Sequence, residues 1–243
     1  MSGTSRASRA GRAAKKMPLP DGVERLLDTA LDKALAVQRP TAQSYLDRVR
    51  RQNPDLTPAR LVERLERRYL AAVVGLGGAS GAAAAVPGAG TMASLATGAA
   101  EITAFVSTSA MYVLALAEVY GLPVSDPEVR RALVVSVLVG ESGVSVVEGA
   151  GHAGSHWAQV LTRSTPKDRI SGINRQLAKL MVRRMTTRQG ALLFGRALPL
   201  GVGAAIGAGG NAALARAAIA AARRAFGPAP AQFPPRVIDG VVR

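Results

Sequence analysis

Glu148, His152 and His156 follow one another at four-residue spacing, so a continuous helix would align a carboxylate and two imidazoles on one face, the donor set a zinc ion takes. Gly149, Gly151 and Gly154 lie among them and work against such a helix, and the HEXXH pairing of a metalloprotease is absent. We therefore expect a solvated loop there and no metal. Three more carboxylates, Glu101, Glu118 and Glu141, fall in or beside apolar runs, where an ionised group is costly unless it is paired. Arg196 and Arg216 are their candidate partners, and the expected role is a structural pair or an exposed helix end rather than a polar relay. Gly75-x-Gly77 and Gly201-x-Gly203 lack the strand before and the Lys-Ser/Thr after that make a phosphate loop. No spacing of Ser, His and Asp/Glu suggests a nucleophilic triad. The chain has no Cys, which excludes disulfides, thiolate catalysis and Cys-bound metals or clusters. These residues lead us to expect a protein that is not an enzyme and carries no cofactor.

The elements that hold these side chains read as all-α. Residues 1–20 are polar and basic with no apolar stretch behind them, and are expected to form a disordered arm without the core of a signal peptide. Residues 21–56 read as two short amphipathic helices. The first is capped by Asp21, carries Val23, Leu26, Leu27, Ala30, Leu31, Ala34 and Leu35 on one stripe, and is closed by Pro40. Residues 57–227 read as one helical domain. Thr57-Pro58 opens its first long helix, residues 86–90 turn the chain, and a second helix runs to Tyr120. Ser125-Asp126-Pro127-Glu128 starts a third that includes the β-branched run 133–139 and continues to Val147; its capped start and length favour a buried helix over a strand. A glycine-rich break at 149–154, a loop at 162–167, a basic amphipathic helix at 170–185, a short helix near Ala191 and a last helix ending at Gly227 complete it. Residues 228–243 read as a Pro-rich disordered tail.

Hydrophobic residues make up 48% of the chain and aromatic ones 4%, so cohesion must come from close approach of small side chains. Gly77, Gly81 and Ala85, then Gly90, Ser94 and Gly98, then Gly201, Ala205 and Gly209, and Gly203, Gly207 and Asn211 each share one helix face at four-residue spacing, a glycine-zipper pattern. An interior Gly costs about 0.8–1 kcal/mol relative to Ala in water, so this many require a packing return or a non-aqueous setting. Asn211 would bond across to a neighbouring helix and fix its register. No residue between Tyr69 and Ala100 is charged, yet Leu70–Ala89 yields only about −2 kcal/mol of insertion free energy, which is marginal alone. The run 102–117 is more apolar but at roughly 24 Å falls short of a ~30 Å hydrocarbon core.

Charge brackets this region. Residues 1–68 hold 15 basic and 8 acidic side chains, residues 69–160 hold 2 and 6, and residues 161–243 hold 14 and 2, within a formal total of +15. Basic flanks on both sides favour a membrane-associated hairpin with both ends cytoplasmic, resting on anionic lipid, with a membrane protein or a second copy as a further partner. The alternative is a soluble protein that binds nucleic acid or another polyanion through Arg169, Arg175, Lys179, Arg183, Arg184 and Arg188. The scarcity of aromatics weakens that alternative.

Two stretches, AAVPGAGT at 84–91 and LPLGVGAAIGAGGNAALARAAIAAARRAF at 198–226, resemble the EcsC protein family, through Pro87, Gly88, Gly90, Pro199, Gly203, Gly207 and Asn211. The likeness spans about residues 58–227. It implies a Gly-rich apolar hairpin near a Pro-Gly turn and a membrane-linked role tied to transport or the envelope. It carries over no catalytic residue.

Overall fold

The computed structural model describes residues 21–84, 91–152, 156–234, 237–238 and 241–242, apart from 197–201; side chains are described except at 21–24, 39, 79–84, 91–98, 152, 164, 185–196, 202–208 and in the two short strands. The fold is all-α. Eight α-helices are described: α1 (Asp21–Gln52), α2 (Pro58–Ala84), α3 (Thr91–Val119), α4 (Pro127–Val139), α5 (Glu141–Val147), α6 (Trp157–Ser164), α7 (Lys167–Arg196) and α8 (Val202–Phe226). Strands β1 (Val237–Ile238) and β2 (Val241–Val242) add a two-residue antiparallel ladder near the C-terminus.

Local chemistry explains most boundaries. Thr57 Oγ1 accepts from the Arg60 amide (3.4 Å) ahead of Pro58, and Asp126 accepts from the amides of Glu128 (2.8 Å) and Val129 (3.4 Å) ahead of Pro127. The β-branched run of α4 is helical, and every residue from Ala132 to Gly140 is buried. α4 is the central helix, touching α3, α5, α7 and α8, while α1, α3, α2 and α8 lie side by side in that order. One continuous core takes in Leu27–Val49 of α1 together with the other helices, so residues 21–56 share the core of the rest. Arg131 of α4 clamps α1 by bonding both Asp28 and Asp32.

Several boundaries differ from the sequence expectation. Pro40 does not close α1, which runs through it; Ala36 and Pro40 face solvent, where water can take the carbonyl Pro40 leaves unbonded, and Thr41 Oγ1 bonds the next carbonyl, Val37 O, at 2.8 Å. The helix expected from Pro127 to Val147 breaks at Gly140, whose φ of 72° only glycine adopts without strain. Arg184 of α7 caps the break, donating to Val139 O, and Gly143 then passes so close to the Ser136 backbone that a Cβ has no room. The expected loop at 162–167 shrinks to Thr165-Pro166, and the basic helix and the one near Ala191 are the single helix α7. Residues 228–234, expected within an unstructured tail, reach back to the body: Phe233 is half-buried beneath the Arg50 guanidinium, 3.9 Å from its ring centre.

Candidate functional site

α2 and α8 run antiparallel and meet at two polar contacts. Toward the start of α2, Glu66 takes both arms of Arg223, from Nε at 2.8 Å and Nη2 at 2.6 Å. Seven residues on, Asn211 Nδ2 donates to Val73 O at 3.0 Å from a buried position. Between α2 and α3 the rings of Tyr69 and Tyr112 stack with centroids 4.4 Å apart, and Tyr69 OH lies 3.0 Å from Ser109 Oγ, which donates to Phe105 O. A polar seam therefore runs through the contact of three helices.

The seam opens into a cleft of about 740 Å³ between α2, α3 and the end of α8. Val62, Leu116, Ala222 and Phe226 give it apolar walls, and Glu63, Glu148, His156 and Arg224 stand around it. Tyr112 is 4% exposed, and its hydroxyl has no hydrogen-bond partner among the described residues. Burial, then the nearby Glu66 carboxylate, pushes its phenol well above the usual range, so it stays a neutral O–H donor. The same two causes raise Tyr120, whose O–H donates to Gly227 O at 2.7 Å. The Glu66 carboxylate, through hydrogen bonds first and charge second, raises Arg223. Gly227 ends α8 with φ 74°, and a Cβ there would run into the His156 imidazole, so the cleft floor needs glycine.

The candidate metal set does not form one face. Residues 148–152 make a π-helical turn in which Gly151 has φ 95°, and His156 has φ 79° at the start of α6, so the helix that would align the three donors is broken. Glu148 and His156 both line the cleft, the His152 side chain lies outside the described ones, and no group of three metal-ligating side chains occurs among the described residues. Two of the three flagged carboxylates, Glu118 and Glu141, contact groups other than Arg196 and Arg216. Glu118 accepts from Gln43 Nε2 at 2.8 Å, Glu141 is an exposed helix start 3.4 Å from Arg224, and Glu101 is half-buried. Arg216 is exposed, and the Arg196 side chain is among those not described. Among the described carboxylates the buried one is Glu66, at 7% exposure, which the sequence reading did not single out. Of the basic residues on α7, Arg169, Arg175, Lys179 and Arg183 are exposed, Arg184 is the half-buried cap of α4, and the Arg188 side chain is not described.

A second feature lies past the Val73–Asn211 contact. Beyond it α2 carries no charge to its end at Ala84, α3 none from Thr91 to Ala100, and α8 none from Val202 to Ala215. The antiparallel contacts bring these three lengths to one end of the bundle. Gly75, Ala100, Gly209 and Gly210 are exposed there, and a Cβ added at Gly75, Gly78, Gly209 or Gly210 meets nothing within 4 Å. Gly77 is buried; Gly81, Gly203 and Gly207 lie on helices, while Pro87, Gly88, Gly90 and Pro199 lie outside the described residues. Ala99–Val119 of α3 is the one described helix long and apolar enough to cross a membrane, yet 67% of its window is buried inside the protein, as in a core helix. No family model, no curated protein and no solved structure matches this chain.

Proposed function

We propose that this is a non-enzymatic, membrane-associated helical protein that dips the uncharged end of its bundle into one leaflet on the cytoplasmic side, without crossing it. The observation that carries the reading is the convergence of three uncharged helix lengths, with exposed small residues, on one end. From Val73 to Ala84 the helix extends roughly 17 Å, comparable to half of a ~30 Å hydrocarbon core. The described residues exposed at that end, Gly75, Ala100, Gly209 and Gly210, are small and offer a weak apolar drive. Anionic headgroups meeting the basic N-terminal region and α7 supply the remainder, about 1 kcal/mol per well-placed cation. Arg183, Arg184, Arg188 and Arg196 sit in the half of α7 that leads into α8.

The glycine-zipper packing and the EcsC family likeness belong to the same proposal. Continuing the register that pairs Val73 with Asn211, positions 77 and 81 fall level with 207 and 203. Glycine at all four would let α2 and α8 approach closely. Washing membranes from expressing cells with high salt and then alkaline carbonate tests the membrane reading. Retention through both supports it. Release by salt alone reduces it to electrostatic docking of the basic flanks, and a protein soluble from the outset defeats it and makes polyanion binding by α7 the next hypothesis.

A further inference from the structure

We infer that a second cleft, between the π-helical turn at 148–152 and the first half of α7, binds a small organic carboxylate whose acid end is held by Arg169. This cleft also holds about 740 Å³, in the range of small-molecule sites, and among the described residues Arg169 is the one charged side chain that lines it. The Arg169 guanidinium has no hydrogen-bond or ion-pair partner among the described residues, whereas Arg131, Arg184, Arg223 and Arg224 are each engaged. It reaches from α7 to the turn, where one terminal nitrogen lies 3.7 Å from the place a Cβ on Gly151 would take. Gly151 has φ 95°, a conformation that favours glycine, so no side chain of the turn covers the guanidinium there. Gly149 and Gly172 line the two walls, and a Cβ added at either meets nothing within 4 Å, so the space between them is open.

Helical spacing sets the size of the ligand. Arg169, Gly172, Ile173 and Gln176 share one face of α7, so Gln176 stands two turns, roughly 10 Å, along the cleft from Arg169. Ile173 lies between them and Val146 lines the cleft from α5, which gives the middle an apolar character suited to a chain of about six carbons. Charge sets the head group. A free guanidinium offers a carboxylate two parallel hydrogen bonds. A phosphate dianion would bring two charges to a cleft with one cation, next to the exposed carboxylate of Asp168. A neutral molecule gains nothing from the guanidinium. The cleft occupies the half of α7 remote from α8, so the assignment does not rest on the membrane reading.

The test uses the full chain without lipid at about 0.15 M salt, where exposed charges more than roughly 8 Å apart are screened. Hexanoate, acetate, 1-hexanol and hexyl phosphate are titrated by ligand-observed NMR. Hexanoate should bind saturably and roughly five-fold or more tighter than the other three probes. Arg169→Gln should weaken hexanoate roughly ten-fold, the loss of one charge-assisted contact. Gly172→Leu puts a side chain into the open space and should abolish saturable binding, with melting no lower than wild type because leucine is the better helix former. If Gly172→Leu melts less cooperatively, Arg169→Gln, at an exposed position, decides alone. Lys179→Gln, exposed on the same helix outside the cleft, should leave the affinity unchanged. Non-saturable hexanoate binding, equal or tighter binding of another probe, unchanged affinity in a folded Gly172→Leu or in Arg169→Gln, or equal weakening by Lys179→Gln would overturn the assignment.

Discussion

Two residues show how the burial of polar groups shapes this protein. Tyr112 keeps its proton well past the ordinary phenol value of 10.0 because ionising it would strand an anion in the core beside Glu66. Its folded pKa is raised, so its stabilising contribution is complete below pH 10 and is lost as pH climbs from 10 toward the folded value, by about 1.4 kcal/mol per pH unit. Urea melts between pH 8 and 11 should show a steeper loss above pH 10 in the wild type than in Tyr112→Phe; parallel curves would mean Tyr112 ionises normally in the native state. Arg223→Ala leaves Glu66 buried with its charge unmatched and should cost about 2 kcal/mol or more, whereas adding Glu66→Leu should recover at least half of that loss. Strict additivity of the two substitutions would refute a coupled pair. Neither residue stood out in the sequence. Glu66 lies within Glu63–Arg68, a charge-rich stretch that reads as solvated, although its three-residue spacing from Tyr69 and four-residue spacing from Val62 was the available signal. Asn211 was legible, being a lone amide in an uncharged run where any bond must cross to another helix.

At the scale of elements, the capped starts at Thr57-Pro58 and Asp126-Pro127 were readable because capping depends on a few neighbouring residues. The run through Pro40 and the break at Gly140 were not. Pro40 is tolerated because its face of α1 meets solvent, and Gly140 is a break because α7 sends Arg184 to the freed carbonyl, facts that only tertiary neighbours decide. The glycines divide on the same principle. Gly143 meets the Ser136 backbone, so Gly143→Ala should destabilise by about 2–3 kcal/mol. Gly75 and Gly209 have open space where a Cβ would go, so Ala there should stabilise by up to about 1 kcal/mol in aqueous melts through helix propensity alone. Destabilisation by Gly75→Ala or Gly209→Ala would show that those faces are packed in water after all. The cleft was beyond sequence reading because its wall joins residues from 59 to 229, and its floor depends on Gly227 yielding space to His156.

For the molecule as a whole, the uneven charge was the most informative sequence feature: a sparsely charged middle with basic flanks. The fold turns that linear pattern into a spatial one, with a polar seam and cleft on one side of the Val73–Asn211 contact and an uncharged end on the other. The all-α class followed from periodicity, while the gathering of three separate uncharged lengths at one end required the antiparallel pairing of α2 with α8. The most direct measurement is flotation of the purified protein with vesicles rich in anionic lipid, comparing the wild type with Gly75→Asp/Gly209→Asp. Both glycines lie on open surface, so the variant should keep its fold, and Trp157, buried and the chain's single tryptophan, reports that fold through its emission. A charge at the bilayer centre costs roughly 2.5–3.5 kcal/mol, and less nearer the interface. Insertion of the uncharged end predicts that the wild type floats with the vesicles at high salt and that the folded double variant does not. Equal flotation of the two, or none by the wild type, would contradict it.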